Sequence, residues 1–592
     1  MVKKKKQQPK FIFIFGGVIS GVGKGVTTSS IARILQSRGL SVTAMKIDPY
    51  VNVDAGTMNP TEHGEVFVLS DGMETDQDMG NYERFLGTTL GRTNYMTTGR
   101  VYQSVINGER NLRYKGKCVQ VVPHIPQEVL RRIKRASSLA KADVTVIEVG
   151  GTAGEYENIL FVEAARMLRT ENPKDVMFLM VSYLPTPSKV GEMKTKPTQH
   201  AVRALNSAGI QPDIIIARSD VAIDKRRKEK IATFCNVEMR DVISAPDVDS
   251  IYSVPLNFEK DKLGDLVCDK LSIKKRVGKK YMMHWKGFVS KVRHAKKPVN
   301  IAIVGKYFNT GDFVLSDAYL SVIEAIKYSS YYAGRKPILH WLNSTDFEKD
   351  TKKLKELKKY DGILVPGGFG TRGIEGKIRV IQYARENKIP YLGLCYGMQL
   401  MVLEFARNVA KIKDAQTAEV NSKAKNLIID IMPEQKEKME QKDYGASMRL
   451  GSYSAVLKTG TIAGEAYGKR RVSERHRHRF EVNPEYIERL ENKGIIFSGT
   501  SPDKVLMEVA ELPRDKHPFF LGTQFHPEFQ ARPLDPHPLF DAFIHAAAGL
   551  QIAREKKVVK KTKKKISKKT KVIKKKVAHK KKSTKKGVKK KK

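Results

Sequence analysis

The sequence is short of cysteine, of long apolar runs and of acidic charge, and each shortage bears on what the chain can be. Four cysteines occur in 592 residues, Cys118, Cys235, Cys268 and Cys395, all too far apart to make a CxxC pair. That spacing argues against a disulfide scaffold and a structural zinc site, and suits a reducing, cytoplasmic setting. No run of about 18 apolar residues occurs, so no membrane-spanning helix is expected. The first apolar run, Phe11 to Phe15, follows a basic arm (residues 1–10, with Lys3 to Lys6) but is too short for a signal peptide. Acidic residues number 63 against 108 lysines and arginines, a net charge of +45. The excess suggests nucleic-acid binding until it is located: residues 556–592 hold 22 lysines and no Asp or Glu. The tail, residues 551–592, reads as a disordered polycation able to hold RNA or other polyanions non-specifically. The charge is too localised for nucleic-acid binding to be the main role.

Glycine, by contrast, is present where it matters. Residues 11–30, FIFIFGGVISGVGKGVTTSS, run from a strand-like segment into a glycine-rich turn containing Lys24, then into a helix-compatible stretch from Thr27 to Gln36. Strand, glycine loop, lysine and helix together cradle phosphates: backbone N–H groups and the helix N-terminus attract the anion, and the lysine adds a point charge. The spacing departs from GxxxxGK[ST], since Gly17 and Gly23 enclose five residues and Gly25 follows Lys24. A metal-binding hydroxyl would then come from Thr27 or Thr28.

A second strand, Val42 to Ile47, completes a βαβ unit and places Lys46 at the ligand-binding end of a parallel sheet. Downstream lie Asp71, Glu74, Asp76 and Asp78, an acidic cluster that suits Mg²⁺ beside a phosphate or is simply a solvated loop. Asp143 to Val149 reads as another strand, with Glu148 among apolar neighbours. A carboxylate buried there calls for a metal ion or for a lysine or arginine. Residues 177–183 and 213–218 read as further buried strands. Between them Lys189, Lys194, Thr195, Lys196, Thr198 and Gln199 offer cations and hydrogen bonds suited to a triphosphate.

A chain this long exceeds one core, so two or three domains are expected. Residues 11–273 form the first. Residues 274–298 lose the strand-and-turn rhythm and are expected to be a linker. A second α/β domain then runs over 299–550. Within it, IPYLGLCYGMQ is a strand, then Gly393-Leu-Cys395-Tyr-Gly397, then a helix, the glycine frame of a sharp nucleophile turn. His526 and Glu528 alternate at strand spacing and supply a base and its orienting carboxylate, giving a Cys–His–Glu triad. Pro366-Gly367-Gly368 at a strand end can offer N–H groups to an oxyanion.

Together GGVISGVGKG, KIDPYVNVDAGTMNPTEHGEVFV, KTKPTQH, PGGFGTRG, LGLCYGMQ, RHRHR and FHPEF resemble the CTP synthase family over roughly residues 10–550. The resemblance implies an α/β chain with an N-terminal P-loop-type parallel-sheet synthetase domain and a C-terminal class I glutamine amidotransferase domain. It implies that ATP phosphorylates O4 of UTP and that ammonia from glutamine, passed through an internal tunnel, displaces the phosphate to give CTP. Carried over by motif, Ser20 contacts the pyrimidine nucleotide. Gly21, Val22, Gly23, Lys24, Gly25 and Val26 hold ATP, together with Asp78. Lys24 and Lys46 stabilise the transferring phosphoryl group, and Asp78 and Glu148 hold Mg²⁺. Glu155, Tyr156, Glu157, Lys194, Thr195, Lys196, Pro197, Thr198, Gln199 and Lys230 match the UTP site and the overlapping CTP feedback site. Cys395, His526 and Glu528 form the triad, while Gly368, Tyr396, Gly397, Met398, Gln399, Glu419 and Arg479 match glutamine-binding positions. A homotetramer with GTP as allosteric activator is implied as well. The lysine-rich tail lies outside the family's core pattern, and residues 411–447 match it loosely. The glycine loop alone would also fit a regulatory ATPase, but the Cys395, His526 and Glu528 set argues against that.

Overall fold

The computed structural model describes residues 8–550 except 190, 275–278, 307–315, 433–434 and 436–444. Lys3 to Lys6 of the basic arm and the lysine-rich tail lie outside the described residues. The first part contains β1 (Lys10–Gly17), α1 (Lys24–Ser37), β2 (Val42–Asp48), a hairpin of β3 (Phe67–Val68) and β4 (Glu74–Thr75), α2 (Asp78–Leu86) and β5 (Tyr95–Thr97). It continues with β6 (Val144–Val149), β7 (Val176–Tyr183), α3 (Lys196–Ser207), β8 (Ile214–Ser219) and β9 (Val242–Pro246). Seven of these strands make one parallel sheet in the order β5-β2-β6-β1-β7-β8-β9. β1 is central, and both of its faces are buried. Phe11, Phe13 and Phe15 enter one core layer with Ile47 and Val129, and Ile12 and Ile14 enter the other with Ile31 and Leu35. A strand covered on both faces reads as a continuous apolar run, which is why it is legible in FIFIF.

Within the segment expected to be a linker, residues 279–294 form α4 (Lys279–His294), packed into the core. Trp285 is fully buried, its indole Nε1 donates to the Tyr252 carbonyl at 2.8 Å, and its ring lies 4.9 Å from Phe85 and 5.0 Å from the Arg33 guanidinium. Burying such a ring contributes about 2–3 kcal/mol, far more than a solvated connection would. The strand rhythm lapses there because the segment is helical.

The second part contains β10 (Lys297–Gly305), α5 (Leu320–Tyr332), β11 (Arg335–Asn343), β12 (Gly362–Val365), β13 (Tyr391–Leu394), α6 (Tyr396–Asn408), β14 (Ala415–Thr417) and β15 (Asn426–Ile431). Then follow β16 (Arg449–Leu457), β17 (Arg471–His478), β18 (Phe480–Val482), β19 (Ile496–Thr500), β20 (Met507–Glu511) and β21 (Phe520–Thr523). Nine strands form a mixed sheet in the order β11-β10-β12-β13-β21-β20-β19-β16-β17. It is parallel from β11 to β21 and antiparallel beyond.

The two parts meet through buried polar contacts. Arg475 of β17 donates to Glu83 of α2 at 2.9 Å and to the Val68 carbonyl at 3.0 Å, and Arg532 also reaches Glu83, at 2.6 Å. The Ser321 backbone N–H, at the start of α5, donates to Glu65 at 3.0 Å. Phe67 and Phe529 meet edge to face at 5.1 Å.

Two candidate active sites

The glycine loop leaves the C-terminal end of β1 and turns into α1 at Gly23, whose φ of 93° lies in the left-handed region. Gly25 explains the departure from the usual loop pattern. A Cβ there would fall 2.1 Å from Asp78 Oδ1, so Asp78 occupies the space a side chain after Lys24 would need. The sequence alone could not show this, because Asp78 arrives from the start of α2.

Lys46, at the end of β2, is the hub of this site. Its ammonium is bonded to Asp78 and, at 2.8 Å, to Glu148, and it stands 3.7 Å from Asp48. Glu148 also accepts from the Tyr82 hydroxyl and, at 3.3 Å, from Thr28 Oγ1. Burial works to lower the Lys46 pKa, but Asp78 and Glu148 outweigh it and hold the amine well above its ordinary range. Lys24 is lowered, chiefly by burial, against the pull of Glu148; its amine donates to the Gly151 carbonyl. Burial raises Glu148, whereas Lys46 overcomes burial at Asp78 and holds that carboxyl below its usual range. Of the two partners considered for Glu148, a lysine is present.

The acidic cluster is divided by the fold. Asp76 and Asp78 stay at the site, Asp76 accepting the Asp78 N–H at 2.9 Å. Asp71 turns away to the Arg92 N–H at 2.6 Å, and Glu74 to Arg477 of the second domain. Among the described residues no group of three or more His, Cys, Asp and Glu is arranged as a metal cage. Mg²⁺ needs only one or two carboxylates with phosphate oxygens, and the half-buried Asp78 and the buried Glu148, hard-oxygen donors on either side of one ammonium, fit it.

The proposed nucleotide residues lie in the segments that follow β1, β6, β7 and β8. The loop after β6 and the end of β1 both approach α3 closely: a Cβ on Gly154 would lie 3.4 Å from Ala204, and one on Gly17 would lie 2.7 Å from Ala201. Glu155 accepts the Thr152 N–H at 2.8 Å. Thr198 meets Ser182 at 2.8 Å, and Gln199 donates to Thr195 at 3.2 Å. Lys194 pairs with Glu192 at 2.5 Å, and Pro197 follows the exposed Lys196 in the first turn of α3. Ser20, Gly21, Glu157 and Lys230 are exposed, and Tyr156 is 91 % exposed. Val22 is buried in the core of this domain. A cavity of about 320 Å³, lined by Gly23, Val26, Thr27, Arg218, Asp247 and Val248 among others, opens beside the loop. Sequence reasoning missed it, as it missed Asp48 and Tyr82; Asp48 stands two residues after Lys46, where a second ligand-side group was to be looked for.

In the second domain Cys395 sits between β13 and α6 with φ 50° and ψ −101°, a conformation costly for a residue with a side chain. Its flanking glycines are required by crowding. A Cβ on Gly393 would lie 2.7 Å from the Gly397 backbone, and one on Gly397 would lie 2.2 Å from the Val365 carbonyl. The Cys395 N–H donates to Thr523 of β21 at 2.6 Å, so nucleophile and base leave adjacent strands. His526 and Glu528 are not on a strand, as their spacing suggested. β21 ends at Thr523, and Glu528 lies in a 3-10 turn, Pro527–Gln530, which folds it back to accept from His526 Nδ1 at 2.7 Å. Burial works to lower the imidazole pKa, but Glu528 and Cys395 raise it to about 10.

Gly367 and Gly368 line one cavity of about 80 Å³ with Cys395 and His526. Gln524, which sequence reasoning missed although it stands two residues before His526, donates to Cys395 Sγ at 3.7 Å and accepts from Gln399 at 3.2 Å. Glu419 accepts the Gly370 N–H, and the Tyr396 hydroxyl donates to the Gly370 carbonyl at 3.4 Å. Arg479 donates to Gln435 and Ser447, both at 2.9 Å. Met398 is fully buried beneath Gly522, a packing position.

Each half has a recognisable lineage. Residues 10–273 match the family model described as the CTP synthase N-terminus, and residues 314–546 match the class-I glutamine amidotransferase. The class is therefore that of ligases supplied by a glutamine amidotransferase domain. The CTP synthase of Carboxydothermus hydrogenoformans is 50% identical over 539 residues, which cover 91% of this chain and 98% of that protein. That of Methanocaldococcus jannaschii is 48% identical over 549 residues, covering 92% and 99%. The chain belongs to the CTP synthase family. Among solved structures, the glutaminase domain of Trypanosoma brucei CTPS with bound acivicin is 36% identical, covers 43% of this chain and 96% of that one, and has a TM-score of 0.40. No helix among the described residues is long and apolar enough to cross a membrane.

Proposed function

We propose that the chain aminates UTP to CTP, consuming ATP and taking nitrogen from glutamine. The carrying observation is the small cavity at Cys395 and His526, whose opposite wall is made by Pro60, Glu65 and Val66 of the first domain. A nucleophile of amide hydrolysis thus opens toward the synthetase side. About 80 Å³ admits ammonia and a few waters and no nucleotide.

In the glutamine half-reaction Cys395 Sγ attacks the side-chain amide carbonyl. The Gly367 and Gly368 N–H groups stabilise the oxyanion, and His526, held by Glu528, gives its proton to the departing nitrogen. Water then hydrolyses the thioester to glutamate. Gly368, Tyr396, Gly397, the Met398 backbone, Gln399, Glu419 and Arg479 seat the glutamine. Glu419 is the natural partner of its ammonium, and Arg479 of its carboxylate.

In the synthetase half-reaction the loop Gly21 to Val26 and Asp78 hold ATP, with the adenine in the cavity beside Asp247. UTP lies against Ser20, Glu155 to Glu157, Lys194 to Gln199 and Lys230. Lys24 and Lys46 neutralise the transferring phosphoryl group as it moves to O4 of the uracil. Mg²⁺, held by Asp78 and Glu148, supplies charge neutralisation on the phosphate oxygens when bound. Ammonia, kept unprotonated by its passage between the domains, attacks C4 of the 4-phosphoryl-UTP. Phosphate leaves with the C4–O4 bonding pair and CTP remains. The exposed Tyr156 is consistent with nucleotide sites completed at subunit contacts of a homotetramer, with CTP as feedback inhibitor and GTP as activator. Four cysteines outside any disulfide suit the cytoplasm.

The test is CTP formation from UTP, ATP and Mg²⁺ with glutamine or with ammonium. Both nitrogen sources are expected to support it, and failure with both would remove the assignment.

A further inference from the structure

Lys377 is a buried lysine that neither half-reaction uses. It sits on the helix Ile374–Glu386, is 1% exposed, and its Nζ has no hydrogen-bond partner among the described residues. What faces the amine is an aromatic ring: Nζ lies 5.4 Å from the centroid of Tyr396, the residue after the nucleophile. An ammonium without hydrogen bonds is costly in such a place, and a ring face offsets only part of that cost.

The groups around it belong to the pocket in which glutamine is seated above. The Tyr396 hydroxyl donates to the Gly370 carbonyl at 3.4 Å, and Glu419 accepts the Gly370 N–H. Lys306, which follows β10, brings its amine to 3.5 Å from where a Cβ on Gly370 would stand. Lys306, Lys377 and Glu419 thus gather around Gly370 and Tyr396, two cations to one carboxylate. Burial pushes the Lys377 amine down to about 7, Lys306 adds to the fall, and Glu419 opposes it. The other charges against this helix are engaged among themselves. Glu348 of the helix Ser344–Lys349 accepts the Gly376 N–H at 3.3 Å, and Arg379 donates to the Phe347 and Glu348 carbonyls. Arg407 of α6 holds Glu375 at 2.9 Å, Glu404 of α6 is held by Arg385 at 2.8 Å, and Arg372 bears on Lys306. Among the described residues Glu419 is the anion that supports a charge on Lys377.

We propose that Lys377 is the proton-releasing partner of the glutamine pocket: when the substrate ammonium settles against Glu419, Lys377 gives up its proton, and glutamine binds more tightly as pH rises through neutrality. The inference rests on the seating of glutamine given above, with its ammonium at Glu419. A second cation at that carboxylate takes over the support that Lys377 draws from it and adds a like charge nearby. The proton goes to the buffer, and the neutral amine keeps the lone pair. Because binding releases a proton, affinity rises with pH by at most about tenfold per unit and levels off on either side. Lys377 is a positioning residue: it acts through Glu419 and touches no reacting atom.

The experiment measures L-glutamine binding to the full-length chain by titration calorimetry, in a Cys395→Ala background that prevents turnover. It runs from about pH 6 to about pH 8 in two buffers of different ionisation enthalpy, which count the protons released. With Lys377 in place the Kd is expected to fall about fivefold over that range, with about half a proton released near the middle of it. Lys377→Met is expected to hold the tight value at every pH and to release no proton. Lys377→Arg, which stays charged, is expected to hold the weak value at every pH. Lost packing would weaken both variants alike and would not produce two opposite plateaus. Equal weakening of both, or a Lys377→Met chain that keeps the slope and the proton release, would overturn the proposal. Glu419→Gln with undiminished affinity would put the ammonium elsewhere and overturn the seating together with the role of Lys377. Failure of the functional assignment shows separately: with Cys395 intact, no glutamate release at any pH would remove the glutaminase reading, whereas release alongside pH-independent binding would remove only the role of Lys377.

Discussion

The two sites solve opposite problems. Around Lys46 the charges are crowded: one ammonium holds the carboxylates of Asp78 and Glu148 and stands near a third, with a second lysine beside them. Around Cys395 the charges are few and the backbone is unusual, with φ at 50° and glycines on both sides because nothing larger fits. Phosphoryl transfer needs a field prepared before the reactants arrive, and a sheet edge can supply one from several strands. Amide hydrolysis needs one atom projected into a cleft, and a forced turn does that. Charge crowding and backbone strain are thus alternative ways to store free energy at a site, and this chain uses each where its chemistry calls for it.

The sharpest way to break the contrast is at the strained residue. Cys395→Ala is expected to lower glutamine-dependent CTP formation by about 10⁴-fold or more, while ammonium-dependent formation stays near the unmutated rate. Parallel assays with the two nitrogen donors check this, and loss of both would show that the sites are wrongly divided. A smaller effect is expected at the crowded site. Lys24→Ala should reduce CTP formation from either donor by about 10²–10³-fold, the scale of one lost transition-state donor, and leave nucleotide-free glutamate release largely intact. CTP formation at an undiminished rate would remove Lys24 from the phosphoryl step.

The smallest effect is on stability. The His526 pKa is raised from an ordinary 6.5 to about 10, so the folded chain keeps a proton that the unfolded chain releases. That contribution is fully present below pH 6.5 and is lost as pH rises through 10, at no more than about 1.4 kcal/mol per pH unit. Glu528→Gln removes a carboxylate that holds the proton, so its stability is expected to fall less steeply over the same range. Urea denaturation at several pH values reads the slopes, and equal slopes would separate Glu528 from the imidazole.

Much of the architecture was legible because buried parallel strands write themselves as apolar runs, as in Phe11 to Phe15. The second site was legible because its turn demands a glycine frame around Cys395. His526 and Glu528 do share a hydrogen bond, but through a different geometry: two residues apart also suits a tight 3-10 turn, and sequence spacing does not distinguish the two. The helix Lys279–His294 was not legible, because a lysine-rich segment shows no packed face until Trp285 and Phe288 are seen in the core. Least legible were contacts that exist only across the chain. Gly25 makes sense only beside Asp78, and Glu74 and Arg477 are 403 residues apart.

Helix α2 carries one more consequence. At its first residue it presents Asp78 to the phosphate site, and five residues later Glu83 takes both Arg475 and Arg532 of the other domain. Buried ion pairs add little net affinity, but they tolerate almost no misalignment. The helix therefore acts as a gauge block. It fixes the span from Asp78 to the docking partner of Arg475 and Arg532 in rigid helical rise, so the spacing between the lysine-centred site and the domain contact is set by one continuous piece of backbone.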